Sequence, residues 1–232
     1  MPVEKRGGFM VIAGIVGRGS KMHTATLINF ILSAKDKKVS VIDMRNLMDV
    51  KPEMLKDYFL ELTRNKTDFL LLKINIYDQN KEILDSIHFD VMIYDDKADD
   101  IREADPASDA AYMRRLFTLL DKKGTAIVNA DNAELIRMLE GMEHYTVTYG
   151  FNPKASVTTS SVGDEIYKDN FMCCLQRTVS TRNGGLVEPQ EYKVNIGSRE
   201  LDNYNVLAAA SFAIVNGVDL NSLDPIKLET MG

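Results

Sequence analysis

The segment from Gly14 to Lys21 brings glycines, two cations and a hydroxyl together within one short stretch. It follows an apolar run at residues 9–14, so its composition is that of a turn between a buried strand and a helix. Such turns point backbone N–H groups and a helix N-terminus at a phosphate, and glycine permits the close approach. The residues that we expect to bind the phosphates of a nucleotide are Gly14, Gly17, Arg18, Gly19, Ser20 and Lys21.

This loop differs from the two common phosphate-binding motifs. It lacks the Gly-Lys-Ser/Thr triplet of a Walker A loop, and its spacing is not Gly-x-Gly-x-x-Gly. Asp43, at the end of the next predicted strand, gives only weak support to a dinucleotide fingerprint. The alternative interpretation is a glycine turn that joins strand to helix and binds nothing.

Apolar runs of strand length alternate with longer amphipathic segments over the first 150 residues. The predicted strands cover residues 9–14, 38–43, 68–74, 89–94, 125–129 and 145–149. The predicted helices cover residues 24–34, 52–64, 109–120 and 132–139, and Gly124 is expected to stop the third of them as a C′ glycine. The alternation predicts an α/β fold with a mainly parallel sheet flanked by helices.

The pattern changes after residue 150. Residues 155–162, 171–180 and 191–196 are typical of strands joined by short polar turns, one of them at Asn183-Gly184-Gly185. A last, alanine-rich helix is predicted at residues 203–215. We therefore expect one domain over residues 1–232: a parallel α/β part at 1–150, a small antiparallel C-terminal β extension at 151–200 and terminal helices at 201–232.

Charge and composition exclude several classes of partner. The net charge of −6 disfavours binding to nucleic acid or to an anionic membrane surface, and no apolar run reaches the roughly 20 residues that span a bilayer. Cys173 and Cys174 are adjacent and lack zinc-site spacing, which favours two reduced cysteines and a cytoplasmic location. The three histidines have no cysteine or carboxylate at zinc spacing.

Several downstream segments occur in an order that is informative as a set. They are Phe89-Asp90-Val91, Gly124-Thr-Ala-Ile-Val-Asn129-Ala-Asp131, Thr146-Val-Thr-Tyr149-Gly150-Phe151-Asn152-Pro153 and Asp202-Asn-Tyr-Asn205-Val-Leu207-Ala-Ala209. Together with the loop, they resemble the central ATP-binding domain of the Mur ligase superfamily, which joins amino acids to carboxylates through an acyl phosphate. The resemblance implies ATP as the ligand, with Asn129 and Asp131 near the base or ribose and Asn205 near the nucleotide.

The sequence departs from the family pattern at positions that carry chemistry. Arg18 and Gly19 occupy the places of the loop lysine and of the hydroxyl that binds Mg²⁺. Lys73 replaces a Mg²⁺-binding glutamate, Ile101 a histidine, and Met113 lies near the place of a carbamylated lysine. A cation in place of an anionic ligand disfavours Mg²⁺. We therefore expect metal-assisted phosphoryl transfer to be impaired.

An acidic run follows the fourth predicted strand, at the edge of the sheet where ligands bind in such folds. It comprises Asp95, Asp96, Asp99, Asp100, Glu103 and Asp105. It is interpreted either as a metal site or as a solvated acidic loop. In a further hypothesis, Lys73 pairs with Asp95 or Asp96 in place of the metal.

Two functions follow from the resemblance. The first is a nucleotide-binding, catalytically impaired Mur-ligase-like domain. The second is an active, ADP-forming acid–amino acid ligase module in cell-wall or polyglutamate-type chemistry. The N-terminal UDP-binding domain and the C-terminal domain of the family have no counterpart in this sequence, so we expect a homo-oligomer or a partner protein that supplies the missing domains.

Overall fold

A computed structural model describes residues 10–17, 23–47, 50–75, 81–95, 106–160, 171–194 and 202–221. Its strands are β1 (Val11–Gly17), β2 (Val39–Asp43), β3 (Phe69–Asn75), β4 (Phe89–Tyr94), β5 (Leu120–Asn129), β6 (Tyr145–Tyr149), β7 (Val157–Thr159), β8 (Phe171–Leu175), β9 (Val179–Ser180), β10 (Leu186–Val187) and β11 (Gln190–Val194). Its helices are α1 (His23–Ser33), α2 (Pro52–Arg64), α3 (Lys81–Asp85), α4 (Pro106–Thr118), α5 (Ala133–Leu139) and α6 (Asn203–Val215), and Met44–Leu47 is a turn of 3-10 helix.

The main sheet of the described residues has the strand order β11-β8-β7-β6-β5-β4-β1-β3-β2. All neighbours from β2 to β7 pair in parallel, whereas β8 is antiparallel to β7 and to β11. The predicted antiparallel extension therefore continues the parallel sheet, and β9 with β10 forms a second, two-stranded sheet. The predicted turn between them contains Gly184 at φ +85°.

Helices cover both faces of the sheet, as the alternating pattern predicted. On one face, α1 and α6 bury a cluster that includes Ile15, Leu71 and Ile93. On the other, α2, α3 and α4 bury a cluster that includes Leu72, Tyr94 and Phe117. Every residue of α6 from Asn205 to Val215 is buried, so this helix is apolar nearly all round because protein surrounds it. Within the described residues, every helix is too short or too polar to traverse a bilayer.

Two helix starts are fixed by the side chains that precede them. The Asn132 Oδ1 accepts the Leu135 N–H at 3.0 Å at the start of α5. The Asp202 carboxylate accepts the Tyr204 N–H at 2.8 Å at the start of α6. These N-caps satisfy backbone donors that the first helical turn leaves unpaired.

Gly124 does not stop a helix, contrary to the sequence prediction. Helix α4 ends at Thr118, and Gly124 lies inside β5, where the pairing with β4 shifts register. A Cβ at Gly124 would lie 2.6 Å from the Leu120 side chain and 2.8 Å from the Asp121 carbonyl oxygen. Glycine therefore occupies position 124 because the tight bulge leaves no room for a side chain.

Candidate functional site

The carboxyl ends of the parallel strands β1 to β6 lie at one edge of the sheet, which we call the carboxyl edge. The chain leaves β1 for β2 and β3 on one side and then crosses to β4 on the other. Parallel α/β sheets bind ligands outside the carboxyl ends of their strands, where the connections diverge in this way. The topology thus makes the end of β1 the first candidate site.

Gly17 is the last residue of β1 and lies against the end of β4. The Asp95 N–H donates to the Val16 carbonyl oxygen at 2.8 Å. A Cβ on Gly17 would lie 3.1 Å from the Asp95 carbonyl oxygen. Gly17 therefore allows the two strand ends to converge at the predicted phosphate loop.

Gly14 lies in the interior of β1 rather than in the loop, because the strand continues three residues beyond its predicted end. It pairs with Leu72 of β3 and Met92 of β4. A Cβ there would lie 2.7 Å from the Met92 Sδ and 3.1 Å from the Ile74 side chain. Gly14 is thus a packing glycine of the core. Arg18, Gly19, Ser20 and Lys21 lie outside the described residues.

Asn205 links three elements at the carboxyl edge. Its Nδ2 donates to the Thr24 Oγ1 at 3.1 Å and to the two carboxylate oxygens of Asp95 at 3.3 Å each. Thr24 belongs to the first turn of α1, and Asn205 to the first turn of α6. Two helix N-termini and the end of β4 are therefore held together beside Gly17.

Asp131 organises a neighbouring turn. Its carboxylate accepts the Phe151 and Asn152 N–H groups at 2.6 and 2.8 Å and the Tyr204 hydroxyl at 3.1 Å. The Asn129 Oδ1 in turn accepts the Asp131 N–H at 2.9 Å. Asn129 and Asp131 therefore lie together at the carboxyl edge, and Tyr204 connects them to the start of α6.

Gly150 makes this arrangement sterically feasible. A Cβ there would lie 2.6 Å from the Asp131 carboxylate, and its φ of +146° disfavours an L side chain. The turn that follows presents the ring of Phe151, which is 41% exposed and packs edge-on against Tyr204 at 4.9 Å between centroids. The edge therefore offers an aromatic surface beside polar groups.

A cluster of three charged side chains, Asp43, Arg45 and Lys73, lies near the carboxyl ends of β2 and β3. The Asp43 carboxylate accepts two hydrogen bonds from the Arg45 guanidinium, at 3.0 and 2.8 Å, and lies 3.5 Å from the Lys73 Nζ. These hydrogen bonds, together with the two positive charges, lower the pKa of Asp43 from 3.8 to about 2 against the opposing effect of burial.

The sequence suggested that Lys73 pairs with Asp95 or Asp96. In the structure, its ion-pair partner is Asp43. Asp43 pairs with Lys73 in the ladder between β2 and β3, whereas β1 lies between β3 and β4. The alternative partner Asp96, with the rest of the acidic run after Asp95, lies outside the described residues. Met113 belongs to α4 and is buried in the core.

Four residues of this edge were not among the predicted site residues: Thr24, Tyr149, Phe151 and Tyr204. The Tyr149 hydroxyl donates to the Tyr94 carbonyl oxygen at 2.7 Å and thereby ties β6 to the end of β4. Tyr204 is adjacent to Asn205, and Thr24 lies just after the glycine-rich loop. Their positions at helix starts, next to predicted site residues, could have indicated them.

Comparisons with known proteins identify the fold through solved structures. No model of a known protein family matches the chain, and no curated protein matches it. A UDP-N-acetylmuramoyl-L-alanyl-D-glutamate–2,6-diaminopimelate ligase aligns over 91% of this chain with a TM-score of 0.64 and 16% identity. The chain has a Mur ligase fold. The sequence-based resemblance to the Mur ligases is thereby confirmed at the level of the fold.

Two further structures with the Mur ligase fold contain nucleotides. The MurF ligase from Thermotoga maritima, in complex with ADP, aligns over 94% of this chain with a TM-score of 0.58 and 13% identity. The bifunctional folylpolyglutamate synthase/dihydrofolate synthase from Yersinia pestis, with AMPPNP and a Mn ion, aligns over 91% with a TM-score of 0.62 and 10% identity. The present chain spans 44%, 49% and 55% of the lengths of these three proteins, respectively.

The described part of this Mur ligase fold provides hydrogen-bonding groups and cations at the carboxyl edge. No group of three His, Cys, Asp or Glu side chains that could hold a metal ion occurs among the described residues. The described charges nearest the strand ends are the Asp95 carboxylate after β4, the Asp131 carboxylate after β5, and the Asp43–Arg45–Lys73 group after β2 and within β3. The described groups that can face an anionic ligand are the Asn205 amide and the Arg45 and Lys73 cations, and the carboxylates at the same edge leave these cations without a positive excess.

Proposed function

We propose that this protein binds ATP at the carboxyl edge, with the phosphates at the loop that begins at Gly17. The observation that carries the proposal is the junction at which Asn205 joins Thr24 and Asp95 beside Gly17. Helices α1 and α6, of 11 and 13 residues, both begin there. Helix N-termini carry partial positive charge that favours an anion, and because the Asp202 carboxylate already caps α6, we assign this role to the N-terminus of α1.

Within this proposal, the six loop residues do not share one role. Gly17, Arg18, Gly19, Ser20 and Lys21 contact the phosphates, whereas Gly14 supports the loop through packing of β1. The remaining contacts come from the ends of β5 and β6 and from α6.

Asp131 and Asn129 lie where the base or ribose binds in the proposed complex. The Asp131 carboxylate already accepts two backbone N–H groups of the 151–152 turn, so we assign it the positioning of that turn. Phe151 then offers its exposed ring to the adenine, because aromatic faces stack on nucleobases. This assignment rests on the hydrogen bonds of Asp131 and on the exposure of Phe151.

We propose further that phosphoryl transfer is impaired, because Lys73 puts a cation where the family resemblance implies a Mg²⁺ ligand. The competing proposal is an active, ADP-forming acid–amino acid ligase module that acts with a partner protein or as a homo-oligomer. It is supported by the ligase and synthase activities named for the proteins that share the fold. The two proposals differ in their dependence on Mg²⁺.

Thermal unfolding with ATP, in EDTA and in Mg²⁺, tests both proposals. Ligand at a hundredfold excess over Kd stabilises a protein by about 2.7 kcal/mol, which raises the Tm of a chain of this size by about 5 °C or more. A shift in EDTA supports the impaired binder, and a shift that requires Mg²⁺ supports the ligase. The absence of any shift contradicts both.

A matched pair of variants at the two ends of α6 locates the site. Asn205→Ala removes the junction at the carboxyl edge, and we expect it to weaken ATP binding at least tenfold in isothermal titration calorimetry. Asn216→Ala removes an asparagine at the opposite end of the same helix, where its Nδ2 bonds the Phe212 carbonyl oxygen at 2.8 Å. Equal affinities in the two variants would place the nucleotide elsewhere.

A further inference from the structure

We propose that Lys73 serves as a built-in counter-cation for the nucleotide phosphates, so that this protein binds ATP without a divalent metal. The proposal rests on the proposed function above and names the chemical form of its ligand: the metal-free polyphosphate. It is carried by the position of Lys73 on the sheet and by the way in which its present ion-pair partner is held.

Lys73 lies on the face of the sheet that α1 covers. Its neighbour across the β1–β3 ladder is Ile15, and paired residues point to the same face. Ile15 packs in the cluster formed with α1. The loop beginning at Gly17 precedes α1, so Lys73 and the first turn of that helix share one side of the sheet.

The end of β1 is within reach of the Lys73 side chain. Gly17 is two residues beyond Ile15, so the Cα atoms of Gly17 and Lys73 are about 8 Å apart by ordinary strand spacings. The lysine stem has four flexible carbons and ends in a point charge. The Nζ can therefore approach a phosphate bound at the end of β1.

The Asp43 carboxylate does not depend on Lys73. It accepts the Arg45 guanidinium at 2.8 and 3.0 Å and the Arg45 backbone N–H at 3.1 Å. The Lys73 Nζ is 3.5 Å from the same carboxylate, which is an ion pair longer than a good hydrogen bond. Lys73 can therefore turn to a phosphate while Arg45 continues to compensate Asp43.

The Lys73 side chain is also placed to act strongly on an anion. It is 25% exposed, so its charge is only partly screened by water. A divalent ion offsets phosphate charge in the same way but requires oxygen ligands. The Lys73 ammonium group supplies positive charge to the phosphates without needing oxygen ligands of its own.

Isothermal titration calorimetry with ATP and with tripolyphosphate, each in EDTA and in Mg²⁺, tests this proposal. For the wild type we expect Kd values for ATP that agree within about threefold in the two buffers. Lys73→Gln should weaken ATP at least tenfold in EDTA, and Lys73→Glu should bind ATP only when Mg²⁺ is present. Lys73→Arg retains the charge and should restore metal-free binding.

Lys37→Gln is the matched control, because it removes one exposed lysine at the opposite edge of the sheet, before β2. The role of Lys73 would be contradicted if the wild type required Mg²⁺ to bind ATP, or if Lys73→Gln and Lys37→Gln bound ATP equally well in EDTA. Either result would leave the proposed nucleotide binding intact. Failure of the wild type to bind ATP in either buffer would overturn the proposed function as well. Circular dichroism melts of each variant confirm that the comparison is made between folded proteins.

Discussion

The two ends of β4 each carry an aspartate, and the two carboxylates are held in different ways. Asp90, near the start of the strand, accepts the Arg182 guanidinium at 2.7 Å and the Ile12 N–H at 2.8 Å. Asp95, just after the end of β4, accepts hydrogen bonds from the Asn205 side-chain amide at 3.3 Å. The contact of Asp90 with Arg182 is thus shorter than the contact of Asp95 with Asn205.

The elements that the two aspartates join suggest different roles: Asp90 joins the turn after β9 to the sheet, and Asp95 joins the end of β4 to the start of α6. Arg182 also donates to the Asp90 backbone carbonyl oxygen at 2.6 Å, so one side chain binds the turn after β9 to the sheet. The pair of Arg182 and Asp90 has ionised groups on both sides, which makes it stronger than a hydrogen bond between neutral groups. The contacts of Asn205 orient helix starts at the edge where a ligand is expected. We therefore expect stability to depend on Asp90 and ligand affinity to depend on Asp95.

The largest effect is expected from breaking the amino-edge contact with Arg182→Ala. The Asp90 carboxylate, whose side chain is 32% exposed, then loses its charged partner, and the free energy of unfolding should fall by about 2 to 3 kcal/mol. Urea denaturation measures the loss, with Arg114→Ala on the exposed side of α4 as the control. ATP affinity of the folded variant should stay within about twofold; a larger change would connect the two ends of β4.

Asp43 tests whether strong pairing, rather than position, makes a carboxylate structural. It lies at the carboxyl edge but is bound by Arg45, and its pKa is lowered from 3.8 to about 2. A lowered pKa stabilises the fold above pH 4, and this stabilisation is lost as the pH falls through 2. Asp43→Asn should therefore cost at most about 2 kcal/mol at pH 7.

Urea denaturation at pH 7 and pH 3 measures this effect. About half of the difference between wild type and Asp43→Asn should remain at pH 3, because the unfolded carboxyl group is already mostly protonated there. Asp57→Asn, on the exposed face of α2, is the control and should show little change at either pH. A difference that is independent of pH would contradict the role assigned to the charge.

Much of the fold could be predicted from the sequence, because hydrophobic periodicity marks buried elements directly. The limits of β4, β6, α2 and α6 agree with the predicted ranges. Gly14 could not be placed in the same way, because its neighbours Met92 and Ile74 belong to other strands. A glycine that makes room for a neighbouring strand has the same local signature as one that starts a turn.

The candidate site was predictable in its parts but not in its pairings. Gly17, Asn129, Asp131 and Asn205 do lie at one edge, since carboxyl ends of parallel strands and helix starts gather there. The partner of Lys73 depends on strand order, which places β2 beside β3 and inserts β1 before β4. Local sequence does not contain that order.

Asp95→Asn sharpens the comparison at the carboxyl edge. The change removes the charge and keeps the shape, so the free energy of unfolding should change by less than about 1 kcal/mol. If ATP binds without metal, loss of a negative charge near the phosphates should strengthen binding in EDTA by about threefold to tenfold. Weaker binding of ATP in Mg²⁺ by this variant would instead identify Asp95 as a metal ligand.

The smallest effects are expected from two tyrosines that meet at the end of β4. The Tyr149 hydroxyl donates to the Tyr94 carbonyl oxygen at 2.7 Å. The Tyr94 hydroxyl is fully buried, and finds no hydrogen-bond partner among the described residues. Its ring stacks on Phe117 at 4.2 Å between centroids, and burial raises the pKa of the phenol.

Removing each hydroxyl should therefore have opposite consequences. Tyr149→Phe loses a buried hydrogen bond and should lower the free energy of unfolding by about 1 kcal/mol. Tyr94→Phe removes a polar group whose burial is uncompensated, and it should leave stability unchanged or raise it by up to about 1 kcal/mol. Urea denaturation measures the free energy of unfolding of both variants. Each variant loses one tyrosine hydroxyl, so the two values can be compared directly. A loss of stability in Tyr94→Phe equal to that in Tyr149→Phe would show that the buried phenol has a partner, and its place beneath α4 would then be polar rather than part of the apolar core.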